Sequence, residues 1–259
     1  MRRLLPILAA GLAALACAPA DAGTVLVATS TVDAGDGYRP GYGNDSWQGF
    51  TAALDGSAAT AQVAIQTTPN LNDAAAVDAA GAIWVDLRNN GETGVHQLAV
   101  AEKANLQAFI ASGRRVVFIG ENSSWASWSN SFLGLVGASH AGNSKAALAP
   151  AAAATHPLLD GVSSIQPTTA GLADLSVADN PVSLFDAPVA TLFGDEQNVL
   201  AILDSELFAD GASPSVDNDV FRQNTIDWLV SGAATPVPSP TAGCGGLVLI
   251  ALVAMRRGR

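Results

Sequence analysis

The chain has 259 residues, of which 49% are hydrophobic and 14% charged, and its formal net charge at pH 7 is −11. A body this acidic repels phosphate backbones, which argues against nucleic acid as a partner. Both cysteines, Cys17 and Cys244, lie in the terminal segments. This placement excludes disulfides, zinc–thiolate sites and thiol nucleophiles from the region between them.

The N-terminus has the pattern of a secretory signal peptide. Arg2 and Arg3 precede an apolar run from Leu4 to Cys17, and an Ala-Asp-Ala-Gly sequence follows. A basic region, a short apolar core and an A-x-A site predict a signal peptide over residues 1–22, cleaved after Ala22. A membrane anchor is disfavoured because a span needs about 20 apolar residues. Lipidation of Cys17 is an alternative, although the residues before it depart from the usual lipoprotein site.

The body covers residues 23–232. Its first part alternates between predicted strands and predicted helices. In chain order these are a strand at Thr24–Thr31, a Gly- and Asp-rich loop at Val32–Asn44, a short helix through Trp47, Phe50 and Leu54, a strand at Ala61–Gln66, a helical turn or two within Leu71–Ala80, a strand at Ala82–Leu87, a helix at Val95–Ser112, a strand at Arg115–Gly120 and a helix at Trp125–Val136. Asn44 or Asp45 is expected to cap the first helix. This alternation predicts right-handed crossovers and a doubly wound α/β sheet, mostly parallel, with helices on both faces.

The second part is less regular before order returns. Ala138–Pro188 is rich in Ala, Ser and Pro and shows no clear periodicity. Val189–Phe193 and Val199–Asp204 flank a Gly-Asp-Glu turn, which predicts a hairpin. A helix over Val216–Val230 is predicted to close the body.

The C-terminus carries a Pro-rich collar, an apolar helix and a basic end. The linker, residues 233–241, contains Pro236 and Pro238, which break any helix leaving the body. Residues 242–259 combine a small apolar stretch with Arg256 and Arg257, which would hold the cytoplasmic side of a membrane. Removing both predicted ends takes away five arginines and one aspartate, so the formal charge falls to −15.

This order of parts resembles the PEP-CTERM sorting tail of bacterial exosortase substrates. The collar departs from the family motif, because Val237 and Ser239 stand where a glutamate between prolines is usual. The resemblance implies a sorting or processing membrane protease as a partner and transient anchoring in the inner membrane. Cys244 is either a modified residue of the tail or a small membrane-facing thiol. A plain single-pass anchor is the alternative for the whole segment.

Four phrases of the body resemble class I glutamine amidotransferase-like domains, which are flavodoxin-like. They are Ala-Ser-Gly-Arg-Arg at the end of a helix, Val116–Gly120, Thr155–Val162 and Asn224–Leu229. Active members carry a cysteine on the turn after the strand that is here Arg115–Gly120. This chain has Gly-Glu-Asn-Ser-Ser at residues 120–124, so the resemblance implies a domain without amidotransferase activity.

Two residues of this turn are weak catalytic candidates. Glu121 could be a relic of the active site or a ligand, and Ser123 could attack only with a nearby base. The histidines of the body are His96, His140 and His156, and no spacing connects any of them with Ser123, so a serine triad is disfavoured. The simpler interpretation is that Glu121 and Asn122 cap the following helix.

Two acidic stretches are weak candidates for a Ca²⁺ site. Asp33, Asp36 and Asp45 flank the loop after the first strand, at the edge where open α/β sheets bind ligands. A second stretch follows the last strand, with acids at Asp204, Glu206, Asp210, Asp217 and Asp219. Neither stretch matches a calcium-loop pattern. Helix capping by Asp45 and by Asp217 or Asp219 explains the same residues.

Trp125 and Trp128 share a helix face, which either stacks on sugars or packs on the sheet, and packing is favoured. The sequence as a whole therefore predicts an exported, non-enzymatic binding module of the envelope or extracellular matrix, whose partner is a polysaccharide or a protein. One alternative is a carbohydrate-active hydrolase that pairs Glu121 with Asp33 or Asp36, which needs about 5–10 Å between the carboxyl groups. The other alternative is a Ca²⁺-dependent adhesin.

Overall fold

The computed structural model describes residues 23–29, 41–88, 97–211 and 217–234. Several predicted features lie outside these residues: the signal peptide with Ala22, the tail with Pro236, Pro238, Cys244, Arg256 and Arg257, and the loop and helix positions Asp33, Asp36 and His96. Among the helices within the described ranges, none is both long and apolar enough to cross a membrane.

The described ranges contain strands and helices that follow the predicted alternation. The strands are β1 (Thr24–Ala28), β2 (Ala64–Thr68), β3 (Ala82–Val85), β4 (Arg115–Ile119), β5 (Ser139–Ser144), β6 (Ala170–Asp174), β7 (Val182–Ser183), β8 (Ala190–Phe193) and β9 (Val199–Ile202). The α-helices are α1 (Gln48–Ala61), α2 (Ala74–Ala79), α3 (Val100–Ala111), α4 (Ala126–Leu133) and α5 (Asn218–Ala233).

A mixed, mostly parallel sheet of seven strands forms the centre of the fold. Its order is β2-β1-β3-β4-β9-β8-β7, and β5 and β6 form a separate antiparallel pair. The first five strands of that order are parallel, whereas β8 and β7 are antiparallel additions. The predicted mostly parallel α/β sheet and the β8–β9 hairpin are therefore confirmed.

Helices cover both faces of the sheet because successive strand residues point to opposite sides. Val117 is in register with Trp84, and the Trp84 ring lies 4.5 Å from that of Phe50 in α1. The next residue, Phe118, stacks on Phe132 of α4 at 4.9 Å. Strands β1, β3, β4 and β9 are consequently buried on both faces, as their unbroken apolar sequences predict.

The two ends of the described domain meet at one edge of the sheet. A β-carbon on Gly23, just before β1, would lie 1.8 Å from the carbonyl oxygen of Ala233 at the end of α5. A β-carbon on Gly81, just before β3, would lie 2.8 Å from the same oxygen. Helix α5 therefore ends against the starting ends of the parallel strands, here called the amino edge.

Several predicted caps are wrong. Asn44 stands at the N-cap position before a 3₁₀ turn, Asp45–Trp47, but its side chain makes no capping bond there, and the exposed Asp45 does not cap α1. Asp217 precedes α5 without capping it and instead accepts hydrogen bonds from Ser163 and Ser164. At Asp217, tertiary partners have replaced the local bond that the sequence pattern favours.

One buried ion pair fastens the loops that follow β2 and β3 to helix α3. Glu102 of α3 is 1% exposed and accepts hydrogen bonds from the backbone N–H groups of Leu71 (2.9 Å) and Ala99 (2.8 Å). Arg88, after β3, forms a bidentate ion pair with the same carboxylate. Burial by itself raises the pKa of Glu102, but the hydrogen bonds from Arg88, Leu71 and Ala99 outweigh it and leave this pKa below its usual value.

We expect Glu102→Ala to lower the free energy of unfolding by about 3 kcal/mol, because it leaves two backbone donors and a guanidinium without their acceptor. Urea unfolding followed by tryptophan fluorescence measures the change. Gln107→Ala, at an exposed position of the same helix, is the control and should stay within about 0.5 kcal/mol of the parent. An equal effect of the two substitutions would contradict the role given to Glu102.

Candidate functional site

The edge at which β1, β3, β4 and β9 end, here called the carboxyl edge, concentrates buried acids. Asp86 follows β3, Glu121 follows β4 and Asp204 follows β9, and these residues are 0%, 5% and 0% exposed. Carboxylates are seldom buried without a cationic partner because the charged form loses its hydration. These three acids therefore mark the carboxyl edge as the candidate functional region.

Asp86 lies where the sheet order reverses, between the ends of β1 and β3. Its backbone N–H donates to the carbonyl of Ala28 at the end of β1 (3.0 Å). Its carboxylate accepts from the indole N–H of Trp84 (2.5 Å) and from the backbone N–H of Tyr42 (3.0 Å). This space between the two strand ends is here called the switch crevice, and in open α/β sheets it is the usual place for a ligand.

A glycine permits the chain to approach Asp86 closely. Gly41 has φ +136°, and a β-carbon there would lie 2.6 Å from the Asp86 Oδ2 atom. Any larger residue at position 41 would therefore be strained and would displace the carboxylate.

A cluster of packed aromatic rings lies beside Asp86. Trp47, Phe50, Trp84 and Phe208 are each fully buried, and neighbouring ring centroids in this group lie 4.5–5.7 Å apart. This apolar surrounding raises the pKa of Asp86 to about 6, and the hydrogen bonds from Trp84, Thr29 and Tyr42 only partly oppose the effect of burial. Asp86 therefore changes charge near neutral pH.

The turn of residues 120–124, here called the β4 turn, is where the amidotransferase-like resemblance places a nucleophile. Glu121 lies in this turn, and both of its carboxylate oxygens are engaged. One accepts from the backbone N–H (3.1 Å) and hydroxyl (2.6 Å) of Ser205, and the other from the backbone N–H (3.0 Å) and amide (3.1 Å) of Asn122. The carboxylate thus ties the β4 turn to the loop after β9.

Side chains and the small sheet cover the β4 turn. A β-carbon on Gly120 would lie 2.6–3.0 Å from Leu203, Ser129 and Phe132, so the space beside the turn is filled. Gly171 of β6 lies close above, since a β-carbon there would be 2.6 Å from the Glu121 carbonyl oxygen and 2.7 Å from His140 Nε2. Burial lowers the pKa of His140, which leaves its imidazole neutral at pH 7.

Asp204 and Glu121 influence one another electrostatically. Asp204 caps a 3₁₀ turn, Ser205–Phe208, by accepting from the N–H of Glu206 (2.8 Å), and it also accepts from the N–H of Thr168 (3.1 Å). Burial, followed by the charge of Glu121, raises its pKa well above the usual value. Burial likewise raises the pKa of Glu121. These two carboxyl groups therefore hold protons at a pH where exposed acids have lost them.

Ser123 does not have the surroundings of a nucleophile. It is exposed, and its hydroxyl accepts from the side-chain amide of Asn143 in β5 (2.9 Å). His156 lies elsewhere, against Trp228 of α5 with ring centroids 6.3 Å apart. Asn122 caps the next turn through the N–H of Ser124 (2.9 Å), as predicted, whereas Glu121 does not cap it.

The described acids of the two stretches have separate surroundings. Within the described ranges, no group of three or more His, Cys, Asp or Glu side chains could hold a metal ion. Asp45 is exposed, Asp210 accepts from the N–H of Gly49 (2.9 and 3.1 Å), and Asp219 pairs with Arg222 (2.8 Å). Asp33 and Asp36 lie outside the described residues.

Trp128 packs in the core, as favoured by the sequence. It is fully buried, and its indole N–H donates to the carbonyl of Ile119 (2.8 Å). Trp125 is half-buried against the same core. A sugar-stacking surface made by both rings is therefore excluded.

A shallow groove of ≈ 420 Å³ lies on another part of the surface, between α1 and α5. Its lining includes Ser57, Asp227 and Ser231, and the hydroxyl of Ser231 accepts from Arg115, the first residue of β4 (2.7 Å). The groove is thus directed toward the amino edge and is separate from the three buried acids.

Sequence reasoning missed Asp86 and the coupling of Glu121 with Asp204. Asp86 falls inside a predicted strand, Ala-Ile-Trp-Val-Asp-Leu. The signal that could have found it is an acidic residue directly after four apolar ones, which is unusual for a strand covered on both faces. No sequence signal could place Glu121 beside Asp204, since 83 positions separate them along the chain.

Comparison of the sequence with protein-family models and with curated proteins finds no match. Solved structures with a similar fold do exist. The N-terminal domain of mmIFT52 aligns with a TM-score of 0.56 and 10% identity over 80% of this chain and 97% of that one. At this identity the likeness shows the fold alone.

Two further solved structures align at lower scores. A GMP synthase-like protein from Thermoplasma acidophilum has a TM-score of 0.45 and 11% identity, over 83% of this chain and 95% of that one. A ThuA-like protein from Parabacteroides merdae has a TM-score of 0.44 and 12% identity, over 84% and 94%.

We expect the stability of the domain to decrease as the pH rises through about 6. The folded-state pKa of Asp86, about 6, lies above its ordinary value of 3.8. The folded state therefore binds more protons than the unfolded state between these values. The stabilising effect of this proton binding is complete below about pH 4 and is lost above about pH 6. Between pH 5 and pH 8, the contribution of Asp86 to the free energy of unfolding therefore falls by about 1.5 kcal/mol.

Urea unfolding at pH 5 and pH 8 measures this difference, and Asp86→Asn should reduce it by the same amount. Glu121 and Asp204, whose pKa values are also raised, add to the decrease, whereas His140 and His156, whose pKa values burial lowers, oppose it. Asp45→Asn, at an exposed acid, is the matched control and should leave the difference unchanged. An Asp86→Asn variant with the same stability difference between pH 5 and pH 8 as the parent would refute the assignment.

Proposed function

We propose that this chain is an exported binding module without enzymatic activity, of the amidotransferase-like, flavodoxin-like class. The observation that carries the proposal is the state of Glu121. It lies in the turn where that class carries its nucleophile, it is 5% exposed, and Ser205 and Asn122 occupy both of its oxygens. A carboxylate bound in this way holds two loops together and is not available to a substrate.

The sheet supports the class assignment. The parallel strands run β2-β1-β3-β4-β9, which is the strand order 2-1-3-4-5 of flavodoxin-like folds. The β4 turn lies after the fourth strand along the chain, where the resembled class carries its nucleophile. A final helix, α5, closes the domain and contains the phrase Asn224–Leu229.

The switch crevice is the surface that we assign to binding. It lies beside Asp86, at the reversal point of the sheet, where open α/β sheets usually bind their ligands. The partner we infer is a polysaccharide or protein of the cell envelope or the extracellular matrix.

The position of the domain ends gives this surface an orientation. Ala233, at the end of α5, lies against the residues that precede β1 and β3, so the proposed membrane tail starts at the amino edge. The carboxyl edge would then face away from the membrane. A binding surface directed outward suits a protein displayed on the cell before a sorting protease releases it.

Export and sorting predict two new ends in the mature protein. We expect mass spectrometry of secreted material to find an N-terminus at Gly23 and a C-terminus within Pro236–Ser239. The structure accommodates the first cleavage, because Gly23 is the last residue before β1 and its carbonyl already pairs with the N–H of Ala64 (2.8 Å). Retention of Arg259 in the secreted protein would count against sorting, and retention of Arg2 would count against signal cleavage.

The orientation can be tested by labelling cells that retain the tail. In a chain with Cys17 and Cys244 replaced by serine, no natural cysteine remains, so a single introduced thiol reports one position. We expect a bulky polymer maleimide to label Thr168→Cys, which is exposed near Asp204, faster than Ala234→Cys, which is exposed at the amino edge. Faster labelling at position 234 would reverse the proposed orientation, and equal rates in detergent-solubilised protein control for intrinsic reactivity.

A further inference from the structure

The seven-stranded sheet has two outermost strands, β2 and β7, and the two differ in what pairs near their outer sides. At the β7 edge, the N–H of Ala151 donates to the carbonyl of Leu184 (2.9 Å), and the N–H of Asp186 donates to that of Ala149 (3.0 Å). Residues 149–151 therefore pair with the segment that directly follows β7. At the opposite edge, β2 pairs with β1, and among the described residues no strand pairs with its outer side.

The backbone of β2 directs two residues outward. The N–H of Ala64 donates to Gly23 (2.8 Å), and the carbonyl of Thr68 accepts from Thr29 (3.0 Å). In a strand the hydrogen-bonding direction alternates, so Gln66 also faces β1, while Ile65 and Thr67 direct their N–H and C=O groups away from the sheet. This edge thus presents a short row of backbone donors and acceptors.

Nothing in β2 blocks pairing with another chain. Natural proteins protect a sheet edge with lysine, proline, inward charges or a bulge. The strand reads Ala-Ile-Gln-Thr-Thr, and its register with β1 is continuous. All of its residues are exposed or half-buried, so the edge is open to solvent.

This edge carries few charged side chains, although the chain as a whole is strongly acidic. Residues 46–72, which contain most of α1 and all of β2, include one charged side chain, Asp55, whereas 14% of the chain is charged. Like charge opposes self-association of an acidic chain. That repulsion is reduced where β2 would meet a second copy, because β2 itself has no charged side chain.

We propose that β2 pairs antiparallel with β2 of a second copy of this chain, which joins the two sheets across a two-fold axis. A two-fold interface uses the same residues on both sides. An antiparallel ladder satisfies both strands in this way, because directly opposed residues exchange both of their hydrogen bonds.

The register of this pair follows from the outward groups. With Gln66 opposite Gln66 of the second copy, each Ile65 opposes a Thr67, and all outward N–H and C=O groups of the two residues are paired. A shift along the strand would bring in Val63, whose N–H is already donated to Ala58 (2.9 Å), or Pro69, which has no N–H. The centred register is therefore preferred.

An antiparallel pair directs the two carboxyl edges in opposite directions. The dimer would present one switch crevice at each end and could hold two partners. Because the two amino edges also point in opposite directions, the pairing applies to the protein after its tail has left the membrane, and this consequence rests on the proposed function. The pairing itself does not depend on export or on sorting.

A disulfide across the two-fold axis tests the register. Opposed residues of a non-hydrogen-bonded antiparallel pair have Cα atoms about 4.5 Å apart, within the range that a disulfide spans. In the full chain with Cys17 and Cys244 replaced by serine, kept in excess detergent, we expect Gln66→Cys to form a disulfide-linked dimer on mild oxidation. Asn72→Cys, exposed and beyond the strand, is the matched control. A Gln66→Cys yield no higher than that of the control would overturn the proposal.

Charge substitution at the same two positions tests the association. Gln66→Asp places like charges directly opposite each other and should weaken the dimer about fivefold in analytical ultracentrifugation, whereas Asn72→Asp should not. Circular dichroism confirms that both variants are folded, since both positions are exposed. A parent chain that stays monomeric at high concentration would overturn the proposal. A dimer that Gln66→Asp does not weaken would also overturn it, because such a dimer would indicate association through the tail.

Discussion

The burial of parallel strands on both faces is the constraint on which the rest of this structure depends. Strands β1, β3, β4 and β9 contain almost only apolar residues, so helices must cover the sheet on both sides. Because these strands are parallel, their carboxyl ends lie together at the carboxyl edge of the sheet. Whatever polar residue follows each strand must be buried there or reach solvent through a loop.

Three acids meet this constraint in a similar way. Asp86, Glu121 and Asp204 each follow a buried strand, and each is satisfied by N–H or O–H donors in place of a cation. The cost of removing a carboxylate from water is reduced by holding a proton, which is why burial raises the pKa of all three. Burial of an acid has different consequences at two of these positions. Glu121 connects a covered turn to the loop after β9, whereas Asp86 lies at the switch crevice.

The distribution of charge complements this arrangement. Acidic residues are frequent in the chain as a whole but nearly absent from residues 46–72. No described segment pairs with the outer side of β2, whereas residues 149–151 pair with the segment that follows β7. The molecule thus has a carboxyl edge with buried acids and an outermost strand, β2, that has no charged side chain, and each suits a different kind of contact.

The sequence by itself determined the order of strands and helices on either side of Ala138–Pro188, the mostly parallel sheet and the burial of Trp128, because apolar periodicity reports local structure and burial directly. It did not reveal β5, β6 and β7, which lie within that irregular stretch. It also showed that the β4 turn lacks a cysteine. It did not determine the role of Asp217, since whether a carboxylate caps its own helix depends on which distant donors reach it. Only the tertiary structure placed Glu121 beside Asp204, Asp86 beneath Tyr42 and Ala233 beside Gly23, because such contacts join residues far apart in the chain, and no local pattern encodes their distance.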